Sequence, residues 1–377
     1  MTVDEIDLGG GFFTPVIEIP NVTITPNENE DLLTAPPFDI IIPELIVAGL
    51  TLRDIPAKVT LKNGVLAEQL TLNIEVLVMS LVRIDITYNG SASDDFFEGD
   101  GISTDPWRLH KLVDFMKLMF VVNFECPTCP YYKYIQLMKD MNFSYYQGEW
   151  EPIGINPNSA FAGVFDGNNK KITGLKIKHQ PAGYQEYIGV FGYVGNGTVK
   201  NLGVEDIDID FDFFYQEYGE AYMGGVAACI GNESKILNCY STADVESSSE
   251  IYAVTGGIAG FIYASAVKNC YSTGKVKSNS QSKATTGGVA GEIGESYESA
   301  GSNISECAAL NPSLVCTGAE IQYGRVVGHL PITPIDTLDK NGSFEGMLKP
   351  DGNVNWEEVC PKCPNGINIT KEEISAD

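Results

Sequence analysis

Nine cysteines are the most reactive side chains in this chain of 377 residues, and four of them sit in two short turns, Cys126-Pro127-Thr128-Cys129 and Cys360-Pro361-Lys362-Cys363. A Cys-x-x-Cys turn can aim two thiolates at one tetrahedral zinc ion, and the same spacing closes local or cross-linked disulfides. The turns lie 234 residues apart (360 minus 126), so a shared ion requires the C-terminal tail to fold back to the region of Cys126. Cys126, Cys129, Cys360 and Cys363 are therefore the candidate site, with zinc, disulfides or unligated thiols as the alternatives. No other feature of the chain requires a cofactor. Cys239, Cys270 and Cys307 recur inside the repeats described below and read as buried free thiols acting as small apolar residues. Cys229 and Cys316 have no evident partner, and an odd total suits a fully paired disulfide framework poorly.

Other candidate chemistry is thinner. Glu205-Asp206-Ile207-Asp208-Ile209-Asp210-Phe211-Asp212-Phe213 offers carboxylates to a hard cation, but its strict alternation reads as the solvated face of a strand and lacks the looped spacing of a calcium site. Histidines occur only at 110, 179 and 329, none in a nucleophile arrangement with Ser or Cys. Asp166, within Phe165-Asp166-Gly167, reads as turn chemistry.

Four related phrases organise the middle of the chain: Gly189-Val190-Phe191-Gly192, Gly224-Gly225-Val226-Ala227, Gly256-Gly257-Ile258-Ala259 and Gly287-Gly288-Val289-Ala290. Each is followed by a second phrase of constant spacing, Val199…Leu202, Ile236…Cys239, Val267…Cys270 and Ile304…Cys307. Steps of 36, 32 and 31 residues between Val190, Val226, Ile258 and Val289 are too irregular for helical-hairpin repeats and suit the coils of a β-solenoid. Short β-branched residues and corner glycines support strands. In a parallel β-helix equivalent residues stack about 4.8 Å apart. Val199, Ile236, Val267 and Ile304 are then one inward column, and Leu202, Cys239, Cys270 and Cys307 the next.

The run from Gly163-Val164-Phe165-Asp166-Gly167 to Ile172-Thr173-Gly174-Leu175, the phrase Gly189-Val190-Phe191-Gly192-Tyr193-Val194, and the Asn-Cys-Tyr-Ser-Thr runs at 238–242 and 269–273 resemble the GLUG-motif family of bacterial surface proteins. Gly99-Asp100-Gly101, Thr104-Asp105-Pro106-Trp107 and Trp150-Glu151-Pro152-Ile153-Gly154 extend the resemblance over roughly residues 99–330. The family's repeats also occur in some immunoglobulin A peptidase precursors and in adhesins. The resemblance implies an all-β, right-handed parallel β-helix, and a fold of this kind hosts many functions.

Three regions follow. Residues 1–98 form a β-rich anchoring or oligomerisation domain: period two runs from Leu70 to Tyr88, Asn63-Gly64 signals a hairpin, and prolines 36, 37, 43 and 56 mark edges or breaks. Residues 99–345 form the β-helix, with Leu109, Leu112, Val113, Phe115, Met116, Met119 and Phe120 at helical spacing. That spacing predicts a helix over about 106–122, started by Asp105-Pro106, that caps the solenoid. Residues 346–377 are a tail that carries the second Cys-Pro-x-Cys turn.

A net charge of -26 opposes binding to nucleic acid or anionic membrane through a general positive field. No apolar run of about 18 residues is present, so no transmembrane segment is expected. The opening Met1-Thr2-Val3-Asp4-Glu5 shows no signal region. The expected function is a non-enzymatic surface-exposed structural or adhesion protein, extracellular or on a cell surface. It displays corner loops, especially 210–223 and 247–255, to a host-surface protein or glycan, or self-assembles through the N-terminal domain. The alternatives are a phage or other virion structural or receptor-binding protein and, third, a polysaccharide-active β-helix enzyme.

Overall fold

The computed structural model of the chain describes residues 97–125, 133–144, 150–177, 185–213, 219–294, 301–331, 337–357 and 363–374. It also describes strand segments at 2–3, 17–18, 38–47, 50–61, 72–76 and 83–86. The chain forms two compact units: residues 1–94 with 111–116 and 144–148, and the remainder.

In the first unit the strands Phe38–Val47, Leu50–Leu61, Leu72–Val76 and Arg83–Ile86 pair in that order as an antiparallel sheet. Pro56 faces Ile41 on one side, and pairing to the third strand begins one residue later, at Ala57 opposite Val76. A proline there withholds no ladder donor from the third strand. Asn63-Gly64 lies outside the described residues.

The second unit is a parallel β-solenoid. Three five-stranded parallel sheets take one strand from each successive coil, and a larger sheet takes two short strands from each of several coils. One sheet stacks Gln185–Ile188, Glu220–Gly224, Tyr252–Gly256, Lys283–Gly287 and Glu320–Gly324. A second stacks Phe191–Gly195, Ala227–Gly231, Ala259–Ile262, Ala290–Ile293 and Val327–His329. Both expected columns are present. Val199, Ile236, Val267, Ile304 and Leu338 pair in register, and the first four are fully buried. Leu202, Cys239, Cys270 and Cys307 are buried beside them, the three thiols free. Each of these thiols lies 3.2 Å from the carbonyl oxygen two residues back, Leu237, Lys268 and Ser305, and also faces a carbonyl of the preceding coil, Val199, Ile236 and Val267, at 3.8, 3.7 and 3.6 Å.

The glycine phrase forms a corner between the two sheets. A Cβ at Gly256 would overlap the carbonyl oxygen of Ala259, so the tight turn admits no side chain. The residue two places on is an inner anchor, and its amide bonds the equivalent carbonyl of the next coil, Val226 to Ile258, Ile258 to Val289, Val289 to Val326 and Val326 to Pro364. Ile153 donates in the same way to Val190. The solenoid thus has coils before and after the four that the sequence phrases reveal.

A second corner is set by left-handed backbone. Asn201, Asn238 and Asn269 have φ of 53, 54 and 52°, a conformation asparagine tolerates better than most residues. Their side chains form a ladder: Asn201 Nδ2 donates to Asp166 Oδ1, Asn238 to Asn201 and Asn269 to Asn238, each at 2.9 Å. Asp166 also accepts the Asn168 N–H at 2.9 Å, the turn role its motif suggests. In the next two coils the position is Glu306 and then Lys340, with φ of 56 and 54°. There Glu306 bridges Lys268 and Lys340 at 3.5 and 3.6 Å.

The expected capping helix is corrected. Trp107–Leu109 is a strand, paired in parallel with Tyr134–Leu137, because burying Trp107 and Leu109 on one side demands period two. Asp105 does not cap a helix; it pairs with Arg108 and takes the Asp100 N–H at 3.2 Å. The α-helix spans only Leu112–Phe120, continues as a π-helix over Val121–Glu125, and Lys111–Met116 belongs to the first unit. Its role as a cap on the solenoid is not supported. In the tail, Ile367–Ile369 pairs with Gly342–Phe344, and Leu348 bridges to Ser313, so these described residues extend the solenoid.

Candidate functional site

Of the four candidate cysteines, Cys126, Cys129 and Cys360 lie outside the described residues. Cys363 is disulfide-bonded, and a disulfide sulfur is not a thiolate ligand. Cys229, Cys239, Cys270, Cys307 and Cys316 are free and buried. Among the described residues no group of three or more His, Cys, Asp or Glu is placed to hold a metal. The loops expected to make contact are partly strand. Ser247 and Ser249 are fully buried in Asp244–Ser249, and Tyr252 begins the following strand. Residues 214–218 lie outside the description.

The structure assembles a different site, on the outside of the glycine corner. Inward residues of the two sheets, such as Ala221, Met223 and Ile230, alternate with outward ones. The outward columns are Tyr187, Tyr222, Val254 and Thr285 on the first sheet and Tyr193, Cys229, Phe261, Glu292 and His329 on the second. Val254 and Thr285 are nevertheless fully buried, and Cys229 is only 3% exposed, so this outer corner is concave and its walls face each other. Tyr187 and Tyr222 stack at 5.4 Å, Tyr193 meets Tyr187 edge-on at 5.4 Å, and Phe261 meets Tyr222 edge-on at 5.6 Å. Tyr252 packs edge-on against Tyr222 at 6.1 Å, and the Lys283 ammonium lies 4.8 Å from its ring. Aromatic pairs of this geometry add about 0.5–1.5 kcal/mol each beyond area burial.

Polar groups rim the aromatics. Tyr187 donates to Gln185 at 3.1 Å and Tyr222 to Glu220 at 3.0 Å, while the Tyr252 hydroxyl donates to Glu292. Burial drives the ionisation of Tyr187, Tyr193 and Tyr222 well above the ordinary tyrosine range and that of the Cys229 thiol above the cysteine range. The corner is therefore uncharged at its floor. Burial also pushes the Glu292 carboxyl up to about 8, so at neutral pH it is largely protonated and can donate as well as accept. The arrangement can stack flat apolar faces and hydrogen-bond at its margin. Sequence reading missed it because, after the Tyr187–Tyr222 pair, its columns change residue type from coil to coil, leaving no repeat to see.

Residues 252–277 match the GLUG motif. Over 232 residues the chain is 26% identical to halomucin of Haloquadratum walsbyi, a match that covers 60% of this chain and spans 2% of halomucin. A solved structure provisionally described as an immunoglobulin A1 protease of Bacteroides ovatus is 20% identical with a TM-score of 0.53. That likeness covers 73% of this chain and 87% of the other, and it shows the fold alone. The virion alternative draws no support from these relatives. Among the described residues no helix is long and apolar enough to cross a membrane. The chain is a β-solenoid that carries the GLUG motif, as its sequence resemblance implied.

Proposed function

We propose that this chain is a non-enzymatic, surface-exposed adhesion module whose contact surface is the concave aromatic corner. The observation that carries this reading is the continuous strip of Tyr222, Tyr252 and Phe261, partly exposed and drawn from adjacent coils on the outside of the rod. Partly buried aromatics ringed by polar groups are the residues that dominate the energetics of contact surfaces. Similarity to halomucin and the GLUG motif support a surface location. The partner is a host-surface glycan or protein, and the cysteine turns act as disulfides that hold the tail.

Panels of immobilised glycans and cell-envelope proteins test this. Tyr252→Ser with Phe261→Ser should weaken binding by about tenfold or more while the strand signature in circular dichroism persists. Absence of binding by the unsubstituted protein on both panels would reduce the chain to a structural spacer. Release of oligosaccharide from any panel member would overturn the non-enzymatic reading. Labelling of intact producing cells checks location, and signal only after lysis would remove surface display.

A further inference from the structure

The second glycine of the corner phrase, Gly225, Gly257 and Gly288, gives way to Arg325 in the last coil. At Gly288 a Cβ would overlap the Arg325 carbonyl oxygen and lie 2.6 Å from Asn311 Oδ1, so no side chain fits there. Arg325 is followed instead by the tail, where Asn365 Oδ1 accepts its N–H at 3.1 Å. The Arg325 side chain turns into the end of the rod and is 1% exposed. Nη1 donates to Asn368 Oδ1 at 2.9 Å and to the Phe344 carbonyl at 3.4 Å. Nε and Nη2, the other edge of the guanidinium, are buried with no partner. The Trp356 ring lies 5.7 Å away and is braced edge-on by Tyr323 at 5.9 Å.

An Nε–Nη2 edge presents two parallel N–H donors, the fork that receives both oxygens of a carboxylate. No carboxylate among the described residues pairs with it. Glu373 accepts from Thr370, and Glu345 lines a neighbouring open cleft of about 700 Å3 together with Pro312, Phe344, Gly346, Leu348 and Lys371. Phe344 thus belongs both to the cleft wall and to Arg325's partners. Lys371 shares the cleft with Glu345, and the Lys349 ammonium lies 5.5 Å from the Trp356 ring. Burial lowers the Arg325 pKa only to about 10, so the buried charge persists at neutral pH. Water alone could satisfy the two donors but would leave that charge uncompensated.

We propose that the C-terminal end of the solenoid binds a small carboxylate anion, held bidentately by Nε and Nη2 of Arg325 beneath Trp356. This is independent of the aromatic corner. Formate is the probe, titrated into the full chain against chloride at equal ionic strength, with Trp356 emission and melting temperature as readouts and Trp356→Phe as the spectral blank. Formate should give a saturable emission change and a rise in melting temperature that chloride does not reproduce. Arg325→Met, which keeps the length but not the fork, should weaken the response about tenfold or more, and Arg325→Lys should retain only part of it. Identical responses to formate and chloride in the unsubstituted protein would leave a hydrated guanidinium only and overturn the site, even if both variants fail to fold. An undiminished formate response in Arg325→Met would overturn it equally.

Discussion

The middle coils and the last coil solve the same stacking problem with different residues. From Gly224 to Ala290 the corner is Gly-Gly-Val/Ile-Ala, and Asn201, Asn238 and Asn269 form a hydrogen-bonded ladder. In the last coil the corner is Gly324-Arg325-Val326-Val327, and the ladder position is Lys340, ion-paired with Glu306 at the same position of the coil before it. A coil flanked on both sides must meet two identical surfaces, so its residues are fixed by self-complementarity. A coil with a dissimilar neighbour on one side is released from that constraint and can carry charge.

The sharpest way to break this contrast is to move the terminal residue inward. Gly257→Arg should abolish the folded solenoid or cost more than about 4 kcal/mol, since its Cβ would overlap the Gly288 carbonyl oxygen. A cooperative melt within a few degrees of the parent would show that the middle coils are not so constrained. Val267→Asp places an unpaired charge in the fully buried column and should cost several kcal/mol, read as a lowered denaturant midpoint. An unchanged midpoint would contradict the register.

The ladder gives smaller effects. Asn238→Ala removes a side-chain bond on each side and places alanine at a φ of 54°, which together should cost about 1–2 kcal/mol. Glu306→Asn would instead extend the ladder at a φ that suits asparagine. We expect it to change stability by no more than about 0.5 kcal/mol, because the ion pairs it gives up are exposed. Chemical denaturation of the two variants side by side checks the ordering, and a larger loss for Glu306→Asn would make the ion pairs the stronger device.

Finally, Glu292 makes the outer corner pH-sensitive. Its folded carboxyl titrates near 8 against an ordinary 4.5, so between those values the folded chain keeps a proton that the unfolded chain has lost. Stability should therefore fall as pH rises through that window. Glu292→Gln should flatten this part of the profile, so its melting temperature gains on the parent from pH 5 to pH 8. Parallel profiles would mean that the carboxyl is solvated.

Legibility in the sequence follows the same division. The interior columns could be read because burial between identical coils selects the same small set of residues each time, as at Val199, Ile236, Val267 and Ile304. The coils at Ile153 and Val326 escaped notice because the glycine that precedes the other anchors is replaced there by Pro152 and Arg325. Trp107 and Leu109 were drawn into a helical pattern by the apolar residues of the true helix that follows, although their own pairing is a strand. Tyr193, Cys229, Phe261, Glu292 and His329 share one column with no residue type in common, so only the register reveals it.

Cys239, Cys270 and Cys307 mark three consecutive coils, each thiol sealed from solvent, and burial raises the ionisation of Cys270 and Cys307 well above the free-cysteine value. A thiol in that state reacts with neither oxidant nor alkylating agent until its own coil parts from its neighbours. The rod therefore carries three internal clocks at known heights along its axis. The order in which they are labelled over time records whether it frays from one end, from the other, or opens as a single body.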